Sequence, residues 1–184
     1  MGKLLIVDDE VNIRAVVREY AEFEEAWAQT ITSLNFSFKN YTISSLEGIE
    51  HFKNLTYLKA YQVGLVECDL SQNTKLEQVG LNLNDSLKVL DLSQNTELKE
   101  ISASYTGLKS LDLSNNPKMT FVNVCGNKEM TGLNVKGCTE LTNVWVSETG
   151  LQELDLSGCS KLIELQCDLN EALTAINLTG CSSL

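Results

Sequence analysis

A nine-residue phrase returns along the chain: Leu87 to Asn95 reads LKVLDLSQN, Leu108 to Asn116 reads LKSLDLSNN, and Leu151 to Cys159 reads LQELDLSGC. Successive phrases open at Leu65, Leu87, Leu108, Met130, Leu151 and Leu173, in steps of 22, 21, 22, 21 and 22 residues. A period between about 20 and 50 residues marks a solenoid, whose repeats bury their apolar faces only by stacking on one another. Each period also holds a looser second copy, such as Leu98, Ile101 and Ala103, Met119, Val122 and Val124, or Leu141, Val144 and Val146. The last two apolar residues of each copy alternate with polar ones, the period-2 pattern of a strand with one buried face. At about 3.3 Å per residue, such a coil has room for two short strands and two tight corners and for no long helix. Asn73, Asn95, Asn116, Asn127, Gly150 and Gly158 stand at those corners and are residue types that tolerate turn backbone. Leu92, Leu113 and Leu156 should occupy one buried station of successive coils.

The pattern LxxLxLxxN resembles the leucine-rich repeat, and its short LDLS form resembles bacterial internalin-like and gut-commensal surface proteins. The segment Ile43 to Leu58, ISSLEGIEHFKNLTYL, is similar to the opening repeat of those proteins. The likeness covers residues 31 to 184. It implies a right-handed solenoid with a parallel sheet on its concave face and a strand-like convex side, and it implies no catalytic activity.

The first 24 residues have a different likeness. Lys3 to Glu10, KLLIVDDE, with Val11 to Glu24, VNIRAVVREYAEFE, resembles the first strand and helix of a response-regulator receiver domain. In that family the acidic pair matching Asp8 and Asp9 helps hold Mg²⁺ beside a phosphorylated aspartate. Residues 51 to 55 read HFKNL where the phosphoacceptor strand should end, and no strand-Lys-Pro element follows, so the likeness is a fragment. An open solenoid end needs a cap with one polar face. Ile13, Val16, Val17, Tyr20, Phe23 and Trp27 follow steps of 3 and 4 and predict an amphipathic capping helix. The expected organisation is a cap over residues 1–28 and a leucine-rich repeat domain over 29–184, with a two-component signalling role for the receiver-like start as the alternative.

The net charge of −11, from 14 basic and 25 acidic residues with no basic run, argues against a nucleic-acid partner, whose phosphates call for clustered Lys and Arg. No run of 18 apolar residues exists, so no membrane span is expected. The resembling proteins are typically exported, yet Leu4 to Val7 is too short for a secretory core and is followed by acids, so the compartment stays open. The last phrase, LTAINLTGC, is followed only by Ser182, Ser183 and Leu184, which leads to an expectation of end-to-end self-association or of a longer native protein.

Cys138, Cys159 and Cys181 fill the position held by Asn73, Asn95 and Asn116 in earlier coils and should stack as a ladder of reduced thiols about 4.8 Å apart. Parallel side chains do not converge as a disulfide requires, and the trio lacks the spacing of a metal site. Cys68 and Cys167 read as small hydrophobes, and Cys125 as the candidate for exposure. His51 has no nucleophile that the repeat would bring beside it. Asp91, Asp112 and Asp155 form a column with Asn134 and Asn177, in which each carboxylate is expected to accept bonds from Ser, Lys or the backbone of the adjoining coil rather than to collect Ca²⁺. No catalytic constellation and no cofactor site emerge.

The two halves of each coil differ in variability. The LDLS half repeats its polar letters, whereas the other half changes at every coil. Its outward residues include Tyr57, Lys59 and Tyr61, then Gln78 and Asn82, Glu100 and Ser102, Phe121 and Asn123, Asn143 and Trp145, and Glu164 and Gln166. A varied face can be shaped to a ligand, and exposed Trp and Tyr are frequent interface anchors. These positions are the predicted binding face of a non-enzymatic recognition module for a protein or glycan.

Overall fold

The middle residue of each predicted strand points inward and the residues on either side point out, so the coils stack into a column of very short parallel strands. The computed structural model describes residues 3–6, 28–36 and 42–184. The strands are β1 (Lys3–Ile6), β2 (Ile31–Asn35), β3 (Tyr57–Lys59), β4 (Gln78–Gly80), β5 (Glu100–Ser102), β6 (Ser110–Asp112), β7 (Phe121–Asn123), β8 (Gly132–Asn134), β9 (Asn143–Trp145), β10 (Glu153–Asp155), β11 (Glu164–Gln166) and β12 (Ala175–Asn177). One eight-stranded parallel sheet runs β1-β2-β3-β4-β5-β7-β9-β11. The LDLS side is strand-like only in part, as the two-stranded sheets β6-β8 and β10-β12.

Between these sides lies one continuous core. Leu58, Val79, Ile101, Val122 and Val144 point in from the large sheet, while Leu92, Leu113 and Leu156 share a fully buried station opposite. Each such side chain contributes about 1.5–3 kcal/mol relative to exposure. In the final coil the equivalent stations are open: Ile176, in register with the buried Leu154, is 40% exposed, and Leu178 is 38% exposed.

At the other end, β1 adds to the sheet edge parallel to β2, with Leu5 opposite Leu34 and Ile6 opposite Asn35. The expected capping helix, with its stripe from Ile13 to Trp27, lies outside the described residues, as do Asp8 and Asp9.

The corner residues hold the coils together in a way the sequence reading did not anticipate. Asn73, Asn95 and Asn116 have no left-handed backbone; they are buried. Each sends its amide N–H groups back to two carbonyls of the preceding coil: Asn73 to Ile49 and Phe52, Asn95 to Leu70 and Asn73, Asn116 to Leu92 and Asn95, at 2.8–3.1 Å. Each of these carbonyls also accepts a backbone N–H within its own coil, so the amide supplies a second bond, worth about 0.5–1.5 kcal/mol net, that ties one coil to the next.

From the fourth coil the ladder changes chemistry. The Cys138 thiol donates to the Leu113 carbonyl at 3.2 Å, Cys159 reaches the Cys138 carbonyl at 3.8 Å, and Cys181 donates to the Leu156 carbonyl at 3.2 Å. The preceding residue changes with it. Gly137, Gly158 and Gly180 adopt φ of 82 to 89°, whereas Gln72, Gln94 and Asn115 at the same station do not take positive φ. A glycine at about +80° is the third residue of a type II turn, so the thiol rungs come with a different corner backbone.

A second corner carries a second ladder, and it explains why the repeat alternates between 22 and 21 residues. Short corners read Val63-Gly64-Leu65, Thr106-Gly107-Leu108 and Thr149-Gly150-Leu151; long ones run from Asn84 to Leu87, Asn127 to Met130 and Asn170 to Leu173. Each Asn of a long corner fastens the short corner before it. The Asn84 carbonyl oxygen accepts from the N–H groups of Val63, Gly64 and Leu65 at 3.0–3.2 Å. Asn127 accepts from the Thr106 N–H and hydroxyl, and Asn170 from those of Thr149. Glycine is needed in the short corner for space: a Cβ on Gly150 would stand 2.6 Å from the Lys128 carbonyl oxygen.

The solenoid is therefore built from pairs of coils, and the pairing extends to the LDLS side. β6-β8 and β10-β12 each join the two coils of one pair. Across the junctions between pairs, Lys118 meets Glu97 and Lys161 meets Glu140, both at 2.5 Å. The expected strand-like side is thus present in part: β8 and β10 do not pair, and they belong to different units.

The aspartate column is also local rather than between coils. Asp69, Asp91, Asp112 and Asp155 each accept from the backbone N–H two residues on, at Ser71, Ser93, Ser114 and Ser157, and Asn134 and Asn177 do the same for Lys136 and Thr179. These bonds hold the four carboxyls below their usual range. Between coils, the Asn134 amide donates to Asp112, and Asn177 makes the equivalent bond to Asp155.

Two outcomes follow from the corner ladders. Asn116→Ala removes the two bonds that tie the Leu92 and Asn95 carbonyls to the next coil, while their backbone partners stay, and should cost about 1–3 kcal/mol in urea unfolding; Asn116→Cys combined with Asn115→Gly should recover part of that loss. Burial pushes the Cys138 and Cys68 thiols up to about 12. A folded pKa above the unfolded value of about 8.5 means that this stabilisation is complete below that pH and is lost as pH climbs toward 12. The urea midpoint should fall across that alkaline window, less steeply in Cys138→Ala, and iodoacetamide should modify the half-buried Cys125 and Cys167 before Cys138.

Candidate functional site

Strand register arranges the outward residues of the large sheet in two rows. One row reads Tyr57, Gln78, Glu100, Phe121, Asn143 and Glu164; the other reads Lys59, Gly80, Ser102, Asn123, Trp145 and Gln166. Neighbours in a row sit on strands about 4.8 Å apart. Tyr61 and Asn82 follow just beyond their strands.

A cleft of about 410 Å³ opens in this face, between aromatic groups. Tyr57 and Tyr61 form one wall and Phe121 and Trp145 the other; Gln78, Glu100, Ser102 and Asn123 lie around the floor. The hollow exists because Gly80 and Ser102 put little volume between the walls. Gly80 also lets the Tyr61 ring lie flat against the backbone, since a Cβ there would meet the ring at 2.5 Å. Burial pushes the Tyr61 phenol up, partly offset by its hydrogen bond with Ser102. Ser102 in turn donates to the Asn82 carbonyl oxygen at 2.8 Å.

The far wall is rigid. Phe121 and Trp145 meet edge to face with centroids 4.9 Å apart and planes at 83°. The Trp145 indole N–H donates to Glu164 at 3.1 Å, and Asn143 and Gln166 donate to the same carboxylate at 2.6 and 2.7 Å. Glu164, Asn143 and Gln166 thus do not line the cleft; they fix the ring that does. Lys59 also lies off the lining, with its ammonium 4.3 Å from the centre of the Tyr61 ring.

Of the residues predicted from sequence, the structure gathers Tyr57, Tyr61, Gln78, Glu100, Ser102, Phe121, Asn123 and Trp145 around one cavity and places Lys59, Asn82, Asn143, Glu164 and Gln166 beside it. Gly80 was passed over as a binding position, and a small residue between aromatic neighbours on adjacent strands was the available signal. On the opposite side a smaller hollow of about 300 Å³ lies over Lys88, Val89 and the Asp91 and Asp112 turns. His51 is exposed and 3.8 Å from Glu50. Among the described residues no cluster of His, Cys, Asp or Glu is arranged to hold a metal ion. No described helix is long and apolar enough to cross a membrane.

The fold has clear relatives among solved structures. The functional domain of InlJ from Listeria monocytogenes, which includes a cysteine ladder, matches with a TM-score of 0.74 and 25% identity over 87% of this chain and 39% of its own. This chain folds as a leucine-rich repeat solenoid. An internalin (InlF) of Listeria monocytogenes matches with a TM-score of 0.63 and 13% identity, over 83% of this chain and 49% of its own. The leucine-rich repeat protein LIC12759 of Leptospira interrogans matches with a TM-score of 0.55 and 18% identity, over 83% of this chain and 44% of its own. The chain thus spans less than half the length of each of these neighbours. No protein-family model and no curated protein matches it.

Proposed function

We propose that this leucine-rich repeat chain is a non-enzymatic recognition module that binds a protein partner on the outward face of its eight-stranded sheet. The observation that carries this reading is the aromatic-walled cleft. Four rings stand on one face, with Trp145 held by a hydrogen-bonded carboxylate and Phe121 edge to face against it, where the opposite face repeats Asp-to-Ser turns. Rigid aromatics lose little entropy on binding and dominate interface energies, and pre-organisation lowers the cost of association. The internalin-like neighbours support a recognition role at the level of fold, and a glycan is the alternative class of ligand.

Residues 1–28 are proposed as a cap that closes the first coil, and the parallel addition of β1 to the sheet edge supports a closing role. Self-association would use the last coil, where Ile176 and Leu178 stand exposed. Light scattering across a concentration series should then show mass rising with concentration, and Ile176→Asp should suppress the rise; a constant monomer mass rules that association out.

The recognition reading is tested with the immobilised chain and a partner it captures. Phe121→Ala with Trp145→Ala should weaken binding by about 30-fold or more, the loss of about 2 kcal/mol expected of an interface anchor. Val89→Ala, on the opposite side, should leave binding unchanged. A partner lost from the Val89 variant and kept by the sheet-face variant would place recognition on the LDLS side.

A further inference from the structure

Glu100 is the only carboxylate on the lining of the cleft, and it is exposed, with no ion pair or side-chain hydrogen bond among the described residues. Its neighbours treat their charges differently. Glu77 is paired with Lys99 at 2.8 Å, and Glu164 accepts from three side chains. Glu100 stands between Gln78 and Phe121 in its row, with Tyr57 one strand beyond Gln78. The two aromatic walls are three strand spacings apart, about 14 Å, and the carboxylate lies between them.

The geometry points to an arginine side chain of the protein partner as the group this cleft takes. A guanidinium pairs with a carboxylate through two parallel N–H bonds and also lies against aromatic faces, whereas an ammonium is a compact, strongly hydrated point charge. The molecule already shows what its rings accept, because the Lys59 ammonium rests on the Tyr61 ring from outside the cleft. Charge complementarity agrees: a chain of net charge −11 attracts a basic segment and speeds its approach. The edge-to-face arrangement of Phe121 and Trp145 offers no common flat platform for a sugar ring, but it does offer an apolar corner for the residue beside the arginine. The inference rests on the sheet-face reading and adds the chemistry of the occupant.

The probes are the peptide Ac-Gly-Arg-Phe-Gly-NH2, its neutral analogue with citrulline in place of arginine, and cellohexaose. Each is titrated into the full chain while NMR follows the Trp145 indole and the Ser102 and Asn123 amides. The arginine peptide should shift these signals and bind at least tenfold more tightly than the citrulline peptide. In Glu100→Gln, whose unchanged spectral dispersion shows an intact fold, the two peptides should bind alike. Equal binding of both peptides by the unmodified chain, shifts with cellohexaose alone, or no shift at 10-fold excess over a millimolar protein sample each overturns the arginine assignment. If Glu100→Gln leaves a captured partner bound while the Phe121 and Trp145 substitutions release it, the arginine assignment fails and the sheet-face reading stands. If both variants keep the partner, both fail.

Discussion

Stacking of coils depends on buried side chains that satisfy the backbone of the coil before them. A turn of about 21 residues with three-residue strands leaves many carbonyl groups at the corners beyond the reach of any strand ladder. Buried polar groups without partners cost too much to be left in number. Asn84, Asn127 and Asn170 answer this at one corner, and at the other Asn73, Asn95 and Asn116 add a second donor to carbonyls that already hold a turn N–H, each reaching from its own coil into the previous one. The apolar core alone would permit coils to slide or rotate against one another, since leucine packs on leucine without direction. Directional bonds at two corners remove that freedom and fix which side chains stand side by side on the large sheet.

The two ladders differ in how fully they are satisfied. At the Asn84 corner both ends of the amide are used. At the Asn73 corner the amide N–H groups are used and the side-chain oxygens of Asn73, Asn95 and Asn116 are buried without a partner. A thiol at this place donates to the same kind of carbonyl and has no strong acceptor to leave unmatched. The change from Asn to Cys thus exchanges two well-made donor bonds and an orphaned acceptor at each rung for weaker bonds without it. The glycine that precedes each cysteine shows that the corner backbone changes as well. InlJ, whose functional domain includes a cysteine ladder, is the relative at 25% identity.

Much of this was legible in the residues because a solenoid converts sequence period directly into neighbours in space. Leu58, Val79, Ile101, Val122 and Val144 could be placed on one column before any coordinates, and with them the outward Tyr57, Phe121 and Trp145. The Cys138, Cys159 and Cys181 column was equally plain. What was missed needed geometry at the corners. The alternation of 22 and 21 residues was visible, as was the return of Ser104-x-Thr106-Gly107-Leu108 at Ser147-x-Thr149-Gly150-Leu151, yet only the bonds of Asn127 and Asn170 show that these make coils come in pairs. The left-handed residues were missed for a related reason: Gln62, Leu83, Tyr105, Glu148 and Leu169 are held there by the stacking, with Gly126 the one glycine at that station, and none advertises the conformation by type. The cleft itself depended on the absence of a side chain at Gly80.

Pairing of coils also limits how such a chain changes in length over generations. Thr106 and Thr149 lie 43 residues apart, and that distance is the smallest stretch that repeats with its corner bonds intact. Loss of a single coil would set two short corners or two long ones against each other, leaving either threonines with no amide to receive them or amides with no threonine to hold. Loss or gain of 43 residues would keep every corner matched and move the aromatic walls closer together or further apart by two strands. Evolution of this surface therefore has a ruler with one division, and ligands of different span would be met by whole steps along it.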